Sequence, residues 1–125
     1  YYGRLSMSTL NVSNITDGTT TVGTSYVVNG SAKALAKFDG SAGTLSLDSS
    51  QNVSSLTDTA TGRPQVNFTT SFSNANFHTT AIAQARCIYG TQSVATSNVL
   101  MRYSDYNGTD QDRTHCSVTI HGDLA

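Results

Sequence analysis

Three aspartates near the carboxyl end of the chain form its densest acidic cluster. Asp105, Asp110 and Asp112 stand within residues 103–112, a segment that reads YSDYNGTDQD. Paired carboxylates are the machinery of glycoside hydrolysis, and carboxylate oxygens are also ligands of Ca²⁺. The chain contains no glutamate, however, and the order of these residues does not match an EF-hand loop. Because aspartate near glycine is typical of turns, the sequence favours a solvated loop here over a catalytic or calcium site.

The histidines and cysteines are the remaining candidates for chemistry. His115 and His121 fall on one face of a predicted strand, about 20 Å apart at the usual rise of an extended chain, which is too far to share a metal ion. We expect surface or interface histidines, although in a trimer one histidine from each chain could meet on the three-fold axis. Cys87 and Cys116 allow one disulfide, but buried free thiols are favoured because free cysteine packs as a small hydrophobic residue. No Gly-x-Ser-x-Gly motif is present, so the sequence predicts a protein that is not an enzyme and holds no cofactor or metal.

The composition narrows the class of protein. Serine and threonine supply 36 of the 125 residues, lysine occurs only twice, and the formal net charge is -1. Good helix formers are scarce, whereas threonine, valine and tyrosine favour strands and asparagine, aspartate and glycine favour turns. No basic stripe indicates a nucleic-acid partner, and no apolar run approaches the roughly 18 residues that a membrane helix needs. The first residues, YYGR, show neither an initiator methionine nor a signal-peptide pattern, so we expect a piece of a longer chain.

Alternation of apolar and polar residues places the candidate residues on short strands. The predicted strands cover residues 5–9, 22–28, 33–38, 45–47, 66–70, 79–89, 94–103 and 113–121. The longest, over residues 79–89, carries Ala81, Ala83 and Ala85 on one face. Small side chains on one face indicate close approach of a second sheet or a second subunit, so these alanines are a candidate subunit interface. Together the strands predict an all-β fold, an antiparallel β-sandwich of short strands.

Two polar segments that contain tyrosine are the predicted recognition surfaces. Tyrosine gives rigid amphipathic contact area, and aspartate or asparagine gives directional hydrogen bonds. The candidate receptor-binding residues lie in predicted turns over residues 89–93 and 103–112, and they are Tyr89, Gln92, Tyr103, Asp105, Tyr106, Asn107, Asp110 and Asp112. Such loops suit a carbohydrate or an outer-membrane protein as ligand. The alternative is that Tyr103 and Tyr106 only cover the edge of a sheet.

A longer stretch, residues 31–77, resembles a known family. The motifs that carry the resemblance are NGSAKA at residues 29–34, NVSS at 52–55 and VNFT at 66–69, and residues 118–125 are similar to the family's terminal strand. Leu35 stands where the family has a tryptophan, and KFDG at residues 37–40 replaces a turn like Asn-Phe-Asn-Gly. The family is the C-terminal domain of tail-fibre proteins from tailed bacteriophages, common among phages of marine bacteria.

The resemblance implies a distal tail-fibre domain, normally homotrimeric, that contacts the surface of the host cell. It implies assembly in the cytoplasm of the bacterial host and location in the virion, with other tail proteins and a host surface glycan or outer-membrane protein as partners. Residues 1–30 are then N-terminal strands connected to the upstream fibre, and residues 31–125 are the distal β-sandwich. The expected function is attachment by non-catalytic receptor binding. The alternative is a structural virion protein, such as a fibre shaft segment or a capsid decoration, and a third hypothesis is a polysaccharide-depolymerising enzyme.

Overall fold

A computed structural model describes residues 10–41, 44–84 and 86–125 of the chain. The strand expected over residues 5–9 lies outside these. The chain divides into two units, residues 1–31 and residues 32–125. In the first unit, β1 (Asn14–Thr16) and β2 (Thr21–Gly23) form an antiparallel hairpin, and the helix α1 (Thr24–Gly30) follows. The carboxylate of Asp17 builds the hairpin turn by accepting hydrogen bonds from two N–H groups, those of Thr19 and Thr20.

The strand predicted over residues 22–28 is wrong beyond Gly23. β2 pairs with β1 only as far as Gly23, which lies opposite Asn14. There the N–H of Thr24 donates to the carbonyl of Ser13, and the Thr24 hydroxyl donates to the carbonyl of Val12. No strand in the described part of the chain lies opposite residues 24–28, so an extended segment would leave its backbone groups without partners. A helix satisfies those groups locally and overrides the strand preference of the two valines it contains.

The second unit, as far as it is described, contains eight strands in two four-stranded sheets. The strands are β3 (Ala34–Asp39), β4 (Ser46–Gln51), β5 (Val53–Asp58), β6 (Pro64–Phe68), β7 (His78–Ile82), β8 (Ile88–Ala95), β9 (Asn98–Ser104) and β10 (Cys116–His121). The first sheet has the order β4–β3–β10–β7 and the second has the order β5–β6–β9–β8. Every pairing is antiparallel. Apart from the short helix α1, the prediction of an all-β fold with antiparallel strands is confirmed.

The two sheets contribute to one hydrophobic core. On β3, β6 and β10 every second residue is buried, which is the pattern of a strand with one face on a core. The first sheet supplies Ala34, Ala36, Phe38, Ala81, Cys116, Val118 and Ile120, and the second supplies Val66, Phe68, Val99, Met101 and Tyr103. The edge strands β4 and β8 are exposed along nearly all of their length. This arrangement of two sheets on a shared core is sandwich-like.

Asn52 turns the chain from β4 in the first sheet to β5 in the second. Its φ is 54°, in the left-handed region that asparagine tolerates better than most residues with a side chain. Its amide oxygen accepts the N–H of Thr70 at 2.6 Å, and its amide nitrogen donates to the carbonyl of Thr70 at 3.0 Å. The side chain of Asn52 therefore replaces the strand pairing that ends at this corner.

The single strand predicted over residues 79–89 is wrong, because the chain changes sheets within it. β7 pairs with β10 up to Ile82, and β8 begins in the other sheet at Ile88. Between them the N–H of Gln84 donates to the carbonyl of Thr114. Alternating side chains run through this stretch, so the pattern alone does not mark the break. The strand predicted over residues 94–103 is likewise interrupted, by a turn at residues 96–97 between β8 and β9.

The break after β7 also corrects the predicted alanine face. Ala81 is 2% exposed and lies opposite Val118 in the core of its own chain. Its side chain has no surface left for a second subunit, so its place in a trimer interface is corrected. Ala83 follows the end of β7 and packs half-buried against the core, and Ala85 lies outside the described residues. Ala81 therefore belongs to the core that the two sheets share, which is the alternative that the sequence left open.

Candidate recognition site

Asp105 organises the first turn of the loop between β9 and β10. Its carboxylate accepts hydrogen bonds from the N–H groups of Asn107 and Thr109, both at 2.9 Å, and from the side-chain amide of Gln111 at 3.1 Å. Its own N–H donates to the carbonyl of Thr109. Gly108 completes the turn with a φ of 85°, a conformation that glycine adopts without strain. Asp105 therefore holds the shape of the loop, as aspartate commonly does in turns.

Asp110 links this loop to Arg102 on β9 and to Arg63, which directly precedes β6. One carboxylate oxygen accepts the Arg102 Nε–H at 2.7 Å and the Ser104 hydroxyl at 3.0 Å. The other oxygen accepts from Nε and from Nη2 of Arg63, both at 2.8 Å. Hydrogen bonds from Arg102 and then from Arg63 lower the pKa of Asp110 to about 2. The carboxylate is therefore ionised at neutral pH and lacks the proton that a general acid must donate.

Asp112 binds the turn between β5 and β6. Its carboxylate accepts the N–H of Gly62 at 2.7 Å, and the carbonyl of Gly62 accepts the N–H of Tyr103 at 2.8 Å. Gly62 is buried and has a φ of 66°. A Cβ at this position would lie 2.5 Å from the carbonyl oxygen of Tyr103 and 2.7 Å from the backbone nitrogen of Gln111, so the close approach requires glycine. The Gly62 turn and the 105–112 loop form one hydrogen-bonded unit, which we call the loop–turn unit.

The three carboxylates of the acidic cluster are each bound by groups of the chain itself. Asp105 accepts N–H groups of the loop, Asp110 pairs with two guanidinium groups, and Asp112 accepts the N–H of Gly62. No group of three or more metal-ligating side chains occurs among the described residues. These hydrogen bonds can hold a polar surface rigid. A rigid, preorganised surface loses less conformational entropy when it binds a ligand.

Tyr103 is not a surface residue, and its prediction as a receptor contact is wrong. The side chain is 1% exposed and belongs to the core. Burial raises the pKa of its hydroxyl far above the ordinary value, and the neighbouring thiols of Cys116 and Cys87 add to this effect. Tyr103 therefore neither contacts a ligand nor covers a sheet edge.

Four of the other predicted residues are exposed, in two places. Tyr89 is 46% exposed on β8, and Gln92 is exposed on the same strand. The predicted turn over residues 89–93 is thus part of an edge strand, and the register with β9 shifts between Thr91 and Ser93. Tyr106 is 74% exposed in the turn that Asp105 holds, beside the exposed Asn107. These four side chains remain candidates for recognition.

A cleft of about 280 Å³ lies between β8 and the turn around Gly108. We call it the Arg102 cleft, and its lining includes Ile88, Tyr89, Gly90, Arg102, Ser104 and Gly108. Gly90 lies directly opposite Arg102, and Ile88 lies opposite Ser104. Because the neighbours of Arg102 on β9, Met101 and Tyr103, point into the core, Arg102 and Gly90 belong to the other face of the sheet. A second cleft, of about 320 Å³, separates the edge strands β7 and β8, with Ala81 and Met101 in its lining.

No family model, curated protein or solved structure matches the chain. In the part of the chain that the structure describes, no helix has the length and apolar character needed to cross a membrane.

The most distinctive residues of the Arg102 cleft were not among the predicted site residues. Arg102 alternates with the apolar residues Val99, Met101 and Tyr103 on β9, and this alternation places it on the solvent side of the sheet. Its partner Gly90 could not be found from the pattern, because the pairing of β8 with β9 depends on a turn that the sequence did not mark. The cleft brings together residues of the segments 89–93 and 103–112, which the sequence predicts as separate turns.

Proposed function

We propose that this chain is the distal domain of a bacteriophage tail fibre and that it attaches the particle to its host by binding a surface receptor without catalysis. The observation that carries the proposal is the resemblance of residues 31–77 to the tail-fibre family. Its motifs at residues 52–55 and 66–69 fall on β5 and β6, where Val53 lies opposite Phe68 and Ser55 lies opposite Asn67. These two motifs are therefore neighbours in space and lie on one hairpin of the scaffold.

The distribution of exposed residues supports adhesion as the activity. The resembling residues of β3 and β6 pack into the core, whereas Tyr89, Tyr106 and Arg102 lie outside the resembling stretch and face solvent. A scaffold that carries polar and aromatic side chains on preformed loops is typical of proteins that recognise a surface ligand. The engaged carboxylates of the loop–turn unit suit this role better than hydrolysis, and we expect no release of reducing sugar from host polysaccharide.

A homotrimer is part of this proposal. A small domain buries a limited share of its surface, and contact between subunits adds buried area. β4 is an edge strand whose six residues are all exposed, Leu47 among them, and natural proteins commonly cover such edges. Light scattering of the purified chain should give three times the mass of the 13.2 kDa chain. A mass equal to one chain at micromolar concentration would contradict trimeric assembly.

Binding of the fluorescently labelled chain to cells tests the attachment function. The cells are a bacterial strain that the parent phage infects, compared with a resistant derivative selected for loss of phage adsorption. We expect saturable binding to the sensitive strain and little binding to the resistant one. Equal binding to both, or to neither, would contradict receptor binding. Detection of the chain in purified virions without any cell binding would favour the structural alternative, a shaft segment or a capsid decoration.

A further inference from the structure

Gly90 leaves open space over one face of the second sheet. It lies inside β8, opposite Arg102, and a Cβ built on it would have no heavy atom within 4 Å. Glycine within a strand weakens that strand and commonly marks a bulge, a bend or a place where a ligand approaches closely. The register shift of β8 begins at the next residue, between Thr91 and Ser93, and Gly90 itself still pairs with Arg102. The space over Gly90 is part of the Arg102 cleft.

The guanidinium group of Arg102 is held in place through Nε, and its Nη groups can still donate hydrogen bonds to a ligand. Its Nε–H donates to Asp110 at 2.7 Å, and the side chain is 48% exposed. Neither of its Nη groups has a hydrogen-bond partner among the described residues. A guanidinium fixed at Nε presents its two Nη groups as a planar fork, the geometry that matches a carboxylate.

The two arginines paired with Asp110 carry more positive charge than its single carboxylate can neutralise. Arg63 and Arg102 share the single carboxylate of Asp110. The carboxylates of Asp105 and Asp112 are turned instead to the N–H groups of the loop and of Gly62. One positive charge among the two arginines is therefore not matched by a paired carboxylate. A second carboxylate, supplied by a ligand, would complete the arrangement.

We propose that the Arg102 cleft binds a carboxylate-bearing sugar of a host surface glycan. Arg102 holds the carboxylate, the exposed side chain of Ile88 packs against the apolar face of the sugar ring, and the space over Gly90 admits the ring. The volume of about 280 Å³ lies just below the usual range of ligand pockets, about 300–1,000 Å³, so the cleft holds a terminal or single sugar unit of the glycan. The inference rests on the proposed function and adds the class of receptor.

Three variants separate ligand contact from support of the loop. Arg102→Met removes the fork and also one of the ion pairs of Asp110. Arg63→Met is the matched control, because it removes the other ion pair but changes no residue that lines the cleft. Gly90→Val fills the cleft with a side chain that meets no neighbour at its Cβ and favours a strand. All three chains should fold, as checked by circular dichroism and thermal unfolding.

The test measures binding of each labelled chain to the phage-sensitive strain. The competitor is polysaccharide extracted from that strain, used native and after chemical reduction of its carboxyl groups. We expect the native polysaccharide to compete and the reduced one to compete at least tenfold less well. Arg102→Met and Gly90→Val should lose at least tenfold in affinity for cells, whereas Arg63→Met should stay within about threefold of the unmodified chain.

Several outcomes would overturn the inference while leaving the attachment function in place. These are equal competition by native and reduced polysaccharide, unchanged cell binding by Arg102→Met or Gly90→Val, and equal losses in Arg102→Met and Arg63→Met. Loss of binding after protease treatment of the cells, with no competition by polysaccharide, would identify a protein receptor and also overturn it. A complete lack of cell binding by the unmodified chain would contradict the attachment function, and this inference with it.

Discussion

Replacing Gly62 with alanine should disrupt the loop–turn unit. Gly62 has a φ of 66°, and a residue with a Cβ pays about 1–2 kcal/mol for the left-handed conformation. The added methyl group would lie 2.5 Å from the carbonyl oxygen of Tyr103 and within 3.0 Å of two backbone atoms of Gln111. Backbone atoms cannot rotate away as a side chain can, and overpacking of this kind costs about 1–3 kcal/mol. Gly62→Ala should therefore lower the free energy of unfolding by about 2–5 kcal/mol.

Gly108→Ala is the matched control for this substitution. Gly108 also has a positive φ, 85°, but an added Cβ there meets nothing within 4 Å. Only the conformational cost applies, so the expected loss is about 1–2 kcal/mol. Urea titration followed by circular dichroism gives both free energies of unfolding. Equal losses in the two variants would refute the steric argument, and so would a Gly62→Ala chain as stable as the unmodified protein.

Three further predictions follow from individual contacts. Asn52→Gly keeps the left-handed backbone but loses two side-chain hydrogen bonds with Thr70, so urea titration should show a free energy of unfolding lower by about 1–3 kcal/mol, at about 0.5–1.5 kcal/mol per bond. Asn52→Ala also has to adopt the left-handed conformation with a Cβ, so its free energy of unfolding should be about 1 kcal/mol lower still. Equal stability of the two variants would contradict the backbone argument. Because the pKa of Asp110 is lowered to about 2 in the folded chain, its stabilisation is present above about pH 4 and is lost as the pH falls toward 2. Thermal unfolding at pH 6, 4 and 2.5 should therefore show a smaller acid loss in Asp110→Asn, and parallel profiles would count against the ion pairs. Burial raises the pKa of Cys116 to about 11. Iodoacetamide at pH 8 should therefore label the half-buried Cys87 first and Cys116 only after unfolding, as measured by mass spectrometry. Equal labelling of both thiols in the folded chain would contradict the burial of Cys116.

Alternation along the chain was enough to predict the faces of several strands. On β3 and β10, Ala34, Phe38, Val118 and Ile120 are buried in the periodic pattern expected for a strand on a core. The same alternation does not indicate which strand each of these strands pairs with. The helix α1 forms because residues 24–28 have no partner strand, and the break after Ile82 arises because the chain changes sheets. Both depend on long-range pairing, which side-chain alternation does not encode.

The candidate recognition site was predictable only in part, for a related reason. The role of Asp105 follows from its own turn, because its hydrogen bonds reach residues at most six positions away. Asp110 reaches Arg63, 47 residues earlier in the chain, and no local signal marks that pairing. Tyr103 was misplaced because it lies one residue before the end of β9, next to a polar loop, although its alternation with Val99 and Met101 places it on the core face. Contacts made within a turn can be predicted from sequence, whereas the Arg102 cleft is a product of sheet pairing.

Competition with phage adsorption tests the proposed attachment function most directly. The parent phage is mixed with sensitive cells in the presence of increasing amounts of the purified chain, and the unadsorbed particles are counted as plaques. A receptor-binding distal domain should inhibit adsorption in a saturable way, and heat-unfolded chain should not. Unchanged adsorption at concentrations of the folded chain that saturate the cells, or at the highest soluble concentration, would contradict the account.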